Sequence, residues 1–283
     1  LEIGEPDFRT PGNIVREGVR ALEEGWTHYG PPAGLPDLRK AIAGYIGRSR
    51  GIPVTPDQVV VTPGGKPIMF YTIIALTDEG DEVIYPDPGF PIYESVIRFI
   101  GGNPIPIRLH ESKGFSLDVE ELRRKITKRT KLLILNSPQN PTGGVVPEED
   151  LREVARLAVE GDFAVLSDEI YSEILYEGQH HTIASFDGMA ERTILLDGFS
   201  KTYAMTGWRM GYGVMPESFA SHVARLMTNS NSCTASFSQR AGIEALNGPQ
   251  DEVRRMVDEF RRRRDVVVDG LNAIPGVTCL RPK

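Results

Sequence analysis

Cysteine is scarce in this chain, with only two in 283 residues. Cys233 and Cys279 are far apart in the sequence and do not form a Cys-x-x-Cys pair. Disulfide frameworks and zinc sites need more cysteines at closer spacing, so we expect neither. Two isolated cysteines are typical of buried thiols in a reducing compartment, which favours the cytoplasm.

Positive charge and long apolar runs are also in short supply. There are 32 Lys and Arg against 39 Asp and Glu, and the net charge of −7 argues against nucleic acid or an anionic membrane as partner. The sequence shows no apolar run of membrane length and no signal peptide. One basic run, Arg261–Arg264, has acidic neighbours in a helical pattern, which predicts ion pairs on a solvated face. We therefore expect no membrane and no nucleic-acid partner.

Helical and strand patterns alternate from about residue 35 onward. Apolar residues make up 40% and charged residues 25%, as in an ordinary soluble globular protein. Near-continuous apolar strands separated by helices indicate a mostly parallel sheet that is covered on both faces. The predicted strands are Val59–Thr62, Glu82–Tyr85, Asn103–Ile107, Lys131–Asn136, Ala164–Ser167, Thr193–Leu196 and Met210–Val214. The sequence thus predicts an α/β fold with a mostly parallel seven-stranded sheet between layers of helices.

The predicted helices fill the intervals between these strands and follow the last one. They are Pro36–Tyr45, Gly65–Leu76, Ile92–Ile100, Leu117–Ile126 with Ser116 as its cap, Pro147–Glu160, Pro216–Met227, Ser236–Leu246 and Asp251–Ala273. Ligands of such sheets bind at the carboxyl ends of the strands. Polar segments fall there at Asn136–Asn140, Asp168–Tyr171 and Ser200–Lys201, which indicates a site.

Lys201 and Asp168 are the two charged residues in these segments that call for an explanation. Lys201 lies in an uncharged stretch between Asp197 and Arg209. A desolvated lysine has a lowered pKa and can form a Schiff base, whereas the alternative is a solvated surface cation. Asp168 ends a buried strand, where a carboxylate is costly unless a cation or hydrogen-bond donors meet it. It could pair with a cationic heterocycle or a basic residue, or it could simply cap a helix.

Three further motifs have both a structural and a functional interpretation. Gly64-Gly65-Lys66 between a strand and a helix could hold a phosphate at the helix N-terminus, or could be a plain turn. It is neither a Walker A loop nor a GxGxxG motif. Phe90, on a proline-rich loop, could stack on a ring or fill the core. The stretch Asn136–Gly144 could be a plain turn at a strand end, but Asn140 is bracketed by prolines that hold its amide in one direction. With Lys201 and Asp168, these are the parts that hold pyridoxal 5′-phosphate (PLP).

The chain resembles the class I/II (fold-type I) PLP-dependent aminotransferases, the aspartate aminotransferase group, over essentially its whole length. The matching stretches occur in the family's order. They are IGEPDF (3–8), THYGPPAGLPDLRKAI (27–42), VTPGGKP (61–67), YPDPGFPIY (85–93), NSPQNPTGG (136–144), SDEIY (167–171) and GFSKTYAMTGWRMGY (198–212).

The resemblance implies a role for each matching residue around the ring of the cofactor. Lys201 would form a Schiff base with PLP and, once released by the substrate, move a proton between the substrate Cα and the cofactor. Asp168 would pair with the protonated ring nitrogen. Tyr171 and Asn140 would hydrogen-bond the phenolic oxygen, and Phe90 would stack on the ring.

The resemblance also implies how the phosphate and the substrate would be held. Arg209 would bind the phosphate, with help from Gly65, Lys66 and Ser200. Tyr29 would reach the phosphate in the neighbouring subunit's site, which implies a homodimer with shared active sites. Gly4 would lie near the substrate α-carboxylate, and Asn140 would take part in substrate binding.

The same resemblance divides the chain into domains. Residues 1–20 would belong to a small α+β domain, residues 21–270 to the large PLP-binding domain, and residues 271–283 to the start of the C-terminal part of the small domain. Both ends look cut, the second just after the strand-like Val277–Leu280. The family's arginine for the substrate α-carboxylate would lie beyond it, so the chain as written should transaminate poorly. Gly198 stands where some relatives carry a phosphate-binding serine.

Three functions remain open at this point. The first is transamination between an amino acid and a 2-oxo acid, with an aspartate- or aromatic-type donor. The second is a PLP-dependent lyase on the same scaffold, a C–S lyase or an enzyme like ACC synthase. The third is a non-catalytic PLP-binding regulatory module. The THYGPPAG and AMTGWRMGY stretches favour the first. Lys66 could bind a distal carboxylate of the substrate, or could be a surface lysine beside the phosphate.

Overall fold

The computed structural model describes residues 4–283, and these contain one seven-stranded sheet. Residues 1–3 lie outside the described residues. They are the start of the predicted 1–20 segment and include Ile3, the first residue of the IGEPDF stretch. The strands are β1 Val59–Thr62, β2 Glu82–Asp87, β3 Asn103–Arg108, β4 Thr130–Asn136, β5 Ala164–Asp168, β6 Thr193–Gly198 and β7 Gly211–Val214. All seven were predicted, and most of them, such as β1, β4 and β5, are almost unbroken apolar runs typical of strands buried on both faces.

The sheet runs in the order β1-β7-β6-β5-β4-β2-β3. Strands β2 to β6 are mutually parallel, and β7 is antiparallel to both β6 and β1. The prediction of a mostly parallel sheet is therefore confirmed. Because β1 runs in the same direction as β6, its carboxyl end lies at the same edge as those of β4, β5 and β6. In register across this edge, Thr62 pairs with Gly211, which pairs with Gly198.

Nine helices in the described part of the chain surround the sheet. They are α1 Gly12–Glu23, α2 Pro36–Arg50, α3 Lys66–Leu76, α4 Ile92–Phe99, α5 Val119–Lys125, α6 Glu148–Gly161, α7 Glu217–Ser230, α8 Ser236–Asn247 and α9 Asp251–Asn272. The core lies between these layers and the sheet, where strand residues such as Val61, Ile84 and Leu133 are fully buried. Burying each such side chain contributes about 1.5–3 kcal/mol. The sheet edge that carries the polar segments is thus built on a rigid, closely packed base.

Helix α1 is the one helix that the sequence did not predict. It packs against α8, and its Ile14 and Ala21 are buried. Gly18 faces the ring of Trp208 so closely that an added Cβ would lie 2.6 Å from it. Glycine has a low intrinsic helix propensity, so this sequence gives a weak helical signal. Packing against α8 and Trp208 compensates for the poor propensity.

Three local predictions are wrong. Asp118, and not Ser116, caps α5, because the Asp118 carboxylate accepts the backbone N–H groups of Glu120 and Glu121. The strand-like residues 277–280 form no strand, and their backbone runs as an irregular segment after α9. Both cysteines are free and are half-buried rather than buried.

The basic run at the middle of α9 forms the ion pairs that its acidic neighbours predicted. Arg261 pairs with Asp258, and both Arg262 and Arg263 pair with Glu259. Arg264 also pairs with an acidic neighbour, Asp265, at 2.9 Å, but its side chain is only 8% exposed and its guanidinium lies 4.9 Å from the ring centroid of Tyr176, so it does not lie on a solvated face. The predicted ion pairs are therefore confirmed, and the predicted solvent exposure is wrong for Arg264.

Candidate active site

The carboxyl ends of four strands bring the predicted polar segments together. Strand β1 leads into Gly64-Gly65, β4 into the loop of Asn140, β5 ends at Asp168, and β6 leads to Lys201. A cavity of about 400 Å³ opens at this edge of the sheet. Its lining includes Gly4, Asn140, Tyr171 and Lys201. These residues are far apart in the sequence and meet only through the parallel topology.

Asp168 is a buried carboxylate at the end of β5. Tyr93 Oη donates to its Oδ2 at 2.7 Å, and the backbone N–H of Ile170 donates to its Oδ1 at 3.3 Å. No cationic side chain within residues 4–283 forms an ion pair with it. Burial therefore raises the pKa of Asp168 to about 6, against the lowering effect of these two hydrogen bonds. A carboxylate held in this way is suited to a cation that the protein itself does not supply.

Lys201 lies in the same cavity and is half-buried. Desolvation lowers the pKa of its amine; the nearby Glu5 carboxylate opposes this, and the charge of Arg209 adds to it. Its Nζ donates to the carbonyl oxygen of Gly4 and lies 5.8 Å from the ring centroid of Tyr171. A lowered pKa makes a lysine amine a better nucleophile and a better proton carrier.

Tyr171 stands beside both of these residues. Burial, with the charge of Asp168, raises the pKa of Tyr171 to about 12. The phenol therefore stays protonated and can donate a hydrogen bond at any physiological pH.

The turn at Gly64-Gly65 and the guanidinium of Arg209 form one cradle. A Cβ at Gly64 would lie 2.4 Å from Arg209 Nη2, and a Cβ at Gly211 would lie 2.6 Å from the backbone nitrogen of Gly65. Gly64 also has a φ of +91°, which favours glycine. Helix α3 begins at Lys66, so its N-terminal N–H groups and the arginine together make an anion site.

Arg209 is exposed and has capacity left for an anion. Its Nη1 donates to the carbonyl oxygen of Thr206 at 2.7 Å, and it forms no ion pair with a carboxylate of the described chain. Lys201, Gly64 and Arg209 therefore place two positive charges and a set of backbone donors beside one another.

The loop that carries Asn140 is held by its buried amides. Asn136 Oδ1 accepts the backbone N–H of Asn140 at 2.8 Å. Gln139 Nε2 donates to the carbonyl oxygens of Pro88 and Asn140, and Gln139 Oε1 accepts the N–H of Thr142. These bonds fix the loop backbone, so the side chain of Asn140 is presented to the cavity in one direction.

Seven predicted site residues lie outside the cavity lining: Asp168, Gly65 and Arg209, whose surroundings are given above, and Phe90, Lys66, Ser200 and Tyr29. Phe90 packs edge-on against Tyr93 at 6.1 Å between centroids, and Lys66 Nζ lies 5.3 Å from the Phe90 ring. Ser200 is half-buried at the end of the β6 turn. Tyr29 is 89% exposed, and the structure does not bring it to the other site residues. The roles implied for all eleven site residues remain predictions.

The structure adds two groups that the sequence analysis missed. Tyr93 is the donor to Asp168, although its place in the first turn of α4 reads as a core aromatic. Arg50, the last residue of α2, is buried on Glu169 and Asp197. Its position before a helix-ending glycine indicates a surface arginine, so no sequence signal could have found it.

The charged and polar groups at this edge of the sheet are chemically suited to binding PLP. Asp168 is a buried carboxylate that lacks a cation, as a protonated ring nitrogen requires. The Gly64 cradle with Arg209 suits a phosphate, and a methyl group at Gly64 would fill it. Lys201 is the half-buried amine between them. By contrast, the described residues hold no cluster of His, Cys, Asp or Glu suited to a metal ion.

No helix within residues 4–283 combines the length and apolarity needed to cross a membrane.

Comparison with known proteins gives a consistent result. The family described as "Aminotransferase class I and II" matches residues 1–283. The aspartate/prephenate aminotransferase of Thermus thermophilus is 43% identical over 286 residues, which cover 100% of this chain and 73% of that protein. A probable aspartate/prephenate aminotransferase of Aquifex aeolicus is 42% identical, covering 99% of this chain and 72% of that protein.

A solved structure agrees with the two sequence relatives. The aromatic aminotransferase of Pyrococcus horikoshii superimposes with a TM-score of 0.97 at 40% identity, covering 99% of this chain and 76% of that one. The expected fold type and cofactor are thereby confirmed. This chain belongs to the class I and II aminotransferases, enzymes that use pyridoxal 5′-phosphate to transfer an amino group between an amino acid and a 2-oxo acid.

Proposed function

We propose that the protein transaminates an aspartate- or aromatic-type amino acid at the sheet edge that carries Asp168 and Lys201. The observation that carries the proposal is the pairing of these two residues at one sheet edge. One is a buried carboxylate without a cation from the described chain, and the other is an amine whose pKa burial lowers.

The proposed roles follow from the position and charge of each side chain. When bound, PLP supplies an electron sink that stabilises negative charge at the substrate Cα. Asp168 keeps a proton on the ring nitrogen, because its carboxylate is more stable when paired with a positive charge. Lys201 Nζ would hold the cofactor through its amine and, when free, would move the proton of the substrate Cα.

The remaining residues hold the ends of the cofactor and the substrate. Arg209 would bind the phosphate, and the backbone N–H groups of Gly65 and Lys66 and the hydroxyl of Ser200 would contribute donors beside it. Tyr171 and Asn140 donate to the phenolic oxygen.

Two residues complete the proposed binding site. Phe90 covers one face of the ring, since its aromatic side chain already packs against Tyr93. Gly4 lies near the substrate α-carboxylate, because its backbone reaches the cavity beside Lys201.

For the donor, Lys66 supports the dicarboxylate class. Its side chain is exposed, its ammonium lies over Phe90, and no carboxylate of the described chain pairs with it. A free ammonium beside the ring can therefore bind a second carboxylate on the substrate. The names of the relatives cover both aspartate/prephenate and aromatic aminotransferases.

A donor panel with 2-oxoglutarate as acceptor tests this choice. The variant Lys66→Met should raise KM for aspartate about tenfold, the effect of losing roughly 1.4 kcal/mol of binding, and leave KM for phenylalanine unchanged. Lys128→Met removes an exposed lysine elsewhere and serves as the control. An equal loss with both donors would mean that Lys66 binds cofactor rather than substrate.

We further propose a cytoplasmic homodimer in which Tyr29 completes the neighbour's phosphate site. Its 89% exposure suits a residue that acts on another subunit, and Val15, Val19 and Leu22 expose apolar area on α1. Mixing Lys201→Ala with Tyr29→Phe subunits tests the arrangement. Hybrid dimers should regain one wild-type site, whereas sites built within one subunit would gain nothing.

The domain division also stays a proposal, with residues 1–20 and 271–283 assigned to a small domain and 21–270 to the large one. Limited proteolysis that cuts first near residues 20 and 270 would support it. Cuts confined to other positions would contradict it.

A single-turnover absorption experiment tests the reaction itself. Adding the amino donor alone should replace the visible absorption of the lysine-bound cofactor with that of its amine form. A lyase would instead release ammonia and restore the starting spectrum. If the full-length protein gives no amine form with any donor, the proposed reaction is refuted.

A further inference from the structure

Arg50 lies beneath the proposed active site and binds two buried carboxylates at once. Its Nε donates to Glu169 Oε2 at 2.8 Å, and its Nη2 donates to Asp197 Oδ2 at 3.0 Å. The side chains of Arg50, Glu169 and Asp197 are only 2%, 2% and 3% exposed. Arg50 Nη2 also donates to Ser172 Oγ at 2.6 Å. The guanidinium is thus held on several sides.

Glu169 is fully satisfied by further donors. Its Oε1 accepts from Ser167 Oγ and Thr182 Oγ1, and its Oε2 also lies 2.7 Å from His180 Nε2. Burial by itself would raise the pKa of Glu169, but these donors and Arg50 lower this pKa to about 2. If Arg50 were lost, the carboxylate of Glu169 would keep its hydrogen bonds from Ser167 and Thr182 and its contact with His180.

Asp197 depends more heavily on Arg50. Its other carboxylate oxygen accepts only the N–H of Gly198, at 2.7 Å. Burial raises the pKa of Asp197 to about 7, in spite of Arg50. The arginine is the one charged partner of Asp197 among the described residues.

These two carboxylates lie next to the proposed catalytic groups in the chain. Glu169 directly follows Asp168, and Asp197 lies at the end of β6, shortly before Lys201. The strands are adjacent and parallel, with Asp168 paired to Leu196, and the N–H of Glu169 donates to the Leu196 carbonyl at 2.8 Å. Arg50 therefore bridges the two strand ends just where their ladder stops.

Stability alone does not account for this arrangement. Well-packed apolar residues often stabilise a core as well as a buried ion-pair triad does. What the planar guanidinium adds is a fixed distance and angle between two carboxylates. A fixed separation matters here because a cofactor that contacts both Asp168 and Lys201 requires both in place before it binds.

We propose that Arg50 is a positioning residue that sets the separation of Asp168 and Lys201 by holding Glu169 and Asp197 together. The proposal rests on the roles given to Asp168 and Lys201 under the proposed function. It assigns Arg50 no contact with substrate or cofactor.

The decisive variant is the double substitution Arg50→Met/Asp197→Asn. Above pH 7, where the Asp197 carboxylate is ionised, it removes one positive and one negative charge, so the electrostatic potential at Lys201 changes little there. Glu169 keeps His180, Ser167 and Thr182, so the apoprotein should fold. Arg39→Met is the control, since Arg39 lies on the same helix and bonds only Asp57 and the Val59 carbonyl.

Two readouts separate positioning from a general loss of stability. One is the dissociation constant of PLP, measured by fluorescence on apoprotein whose melting temperature is known. The other is the pH midpoint of the visible absorption of the lysine-bound cofactor. Lys201 is faced by Glu5, Arg209 and Tyr171, none of which the variant alters.

We expect the double variant to bind PLP about tenfold more weakly and to shift the pH midpoint by about half a unit, with a melting temperature close to wild type. Arg39→Met should match wild type in both readouts. If the double variant fails to fold, Arg50→Lys decides the question, because one ammonium cannot reproduce the fork and should weaken PLP binding similarly.

The inference would be overturned if the double variant had the PLP affinity and the pH midpoint of the wild type. The same holds for Arg50→Lys if that variant is used. Either result would leave the proposed function intact. Failure of the wild-type protein itself to bind PLP would overturn both.

Discussion

Replacing Asp168 with asparagine tests two separate effects of this carboxylate: it destabilises the folded apoprotein, and it supports activity when PLP is bound. Burial raises the pKa of Asp168 from 3.8 to about 6 in the protein without cofactor. A carboxylic acid whose folded-state pKa is raised destabilises the protein once the pH exceeds its unfolded-state value. Stability therefore falls as the pH rises from about 4 to 6 and stays reduced above that.

The magnitude follows from the size of the shift. About two pKa units at 1.36 kcal/mol each amount to roughly 3 kcal/mol. Without PLP, Asp168→Asn should therefore be more stable than wild type by up to about 3 kcal/mol at pH 8, and nearly equal to it at pH 4. The amide oxygen of the asparagine can accept the N–H of Ile170, and its NH2 can donate to Tyr93 Oη, so both contacts are kept.

With PLP bound, the same substitution should have the opposite effect. Breaking a buried charge pair costs about 3–5 kcal/mol, so the activity should fall by roughly two to four orders of magnitude.

Urea unfolding of the apoprotein at pH 4 and pH 8 measures the first effect, and steady-state kinetics of the reconstituted protein measures the second. Asp187→Asn, an exposed carboxylate, is the matched control and should change neither quantity. Equal stability of wild type and Asp168→Asn apoprotein at pH 8 would refute the argument, because Asp168 would then have a cationic partner in the chain.

Three other substitutions test the rest of the site. Lys201→Ala should abolish the visible absorption of bound PLP while circular dichroism and the melting temperature stay unchanged, because the side chain is only half-buried. Gly64→Ala should weaken PLP binding at least about tenfold, because the added Cβ would meet Arg209, and titration with PLP measures this. It should also destabilise the fold by roughly 1–3 kcal/mol, because the φ of residue 64 is +91°, and urea unfolding measures that. Tyr93→Phe removes the hydrogen bond that lowers the pKa of Asp168, so that pKa should rise and the stability loss should begin at the same pH but extend higher in a pH series.

Each of these has an outcome that would contradict it. Visible absorption that survives in Lys201→Ala would place the covalent bond on another lysine. Gly270→Ala, where the added methyl meets open space within a helix, is the control for Gly64→Ala and should not destabilise. Equal PLP affinity in the Gly64 and Gly270 variants would argue against a phosphate at this turn. An unchanged pH profile in Tyr93→Phe would mean that the 2.7 Å contact has no effect on Asp168.

Much of the fold could be predicted because its signals are local. Each strand of the sheet is a short apolar run, as in β4 and β5, and buried strands of this kind need no knowledge of their neighbours to be recognised. The sequence did not predict helix α1, because its glycines have a low helix propensity and packing on α8 stabilises the helix. The irregular 277–280 segment was misread because an apolar alternation predicts a strand only where another strand is there to pair with it.

The functional groups of the candidate site could also be predicted from the sequence. Asp168 and Lys201 each stand at the end of a predicted strand, and parallel strands bring their carboxyl ends to one edge. The ordered motifs that contain them indicate a family whose members bind PLP, and the comparisons confirm it.

The tertiary structure alone decided how these groups are held. Arg50 meets Glu169 and Asp197 across 119 and 147 positions of sequence, and Tyr93 reaches Asp168 across 75. No local pattern encodes such contacts, because a buried arginine and an exposed one at a helix end look alike until the other elements have packed. The sequence determined which functional groups the protein carries, while their burial, their pKa shifts and their spacing depend on which strands lie side by side.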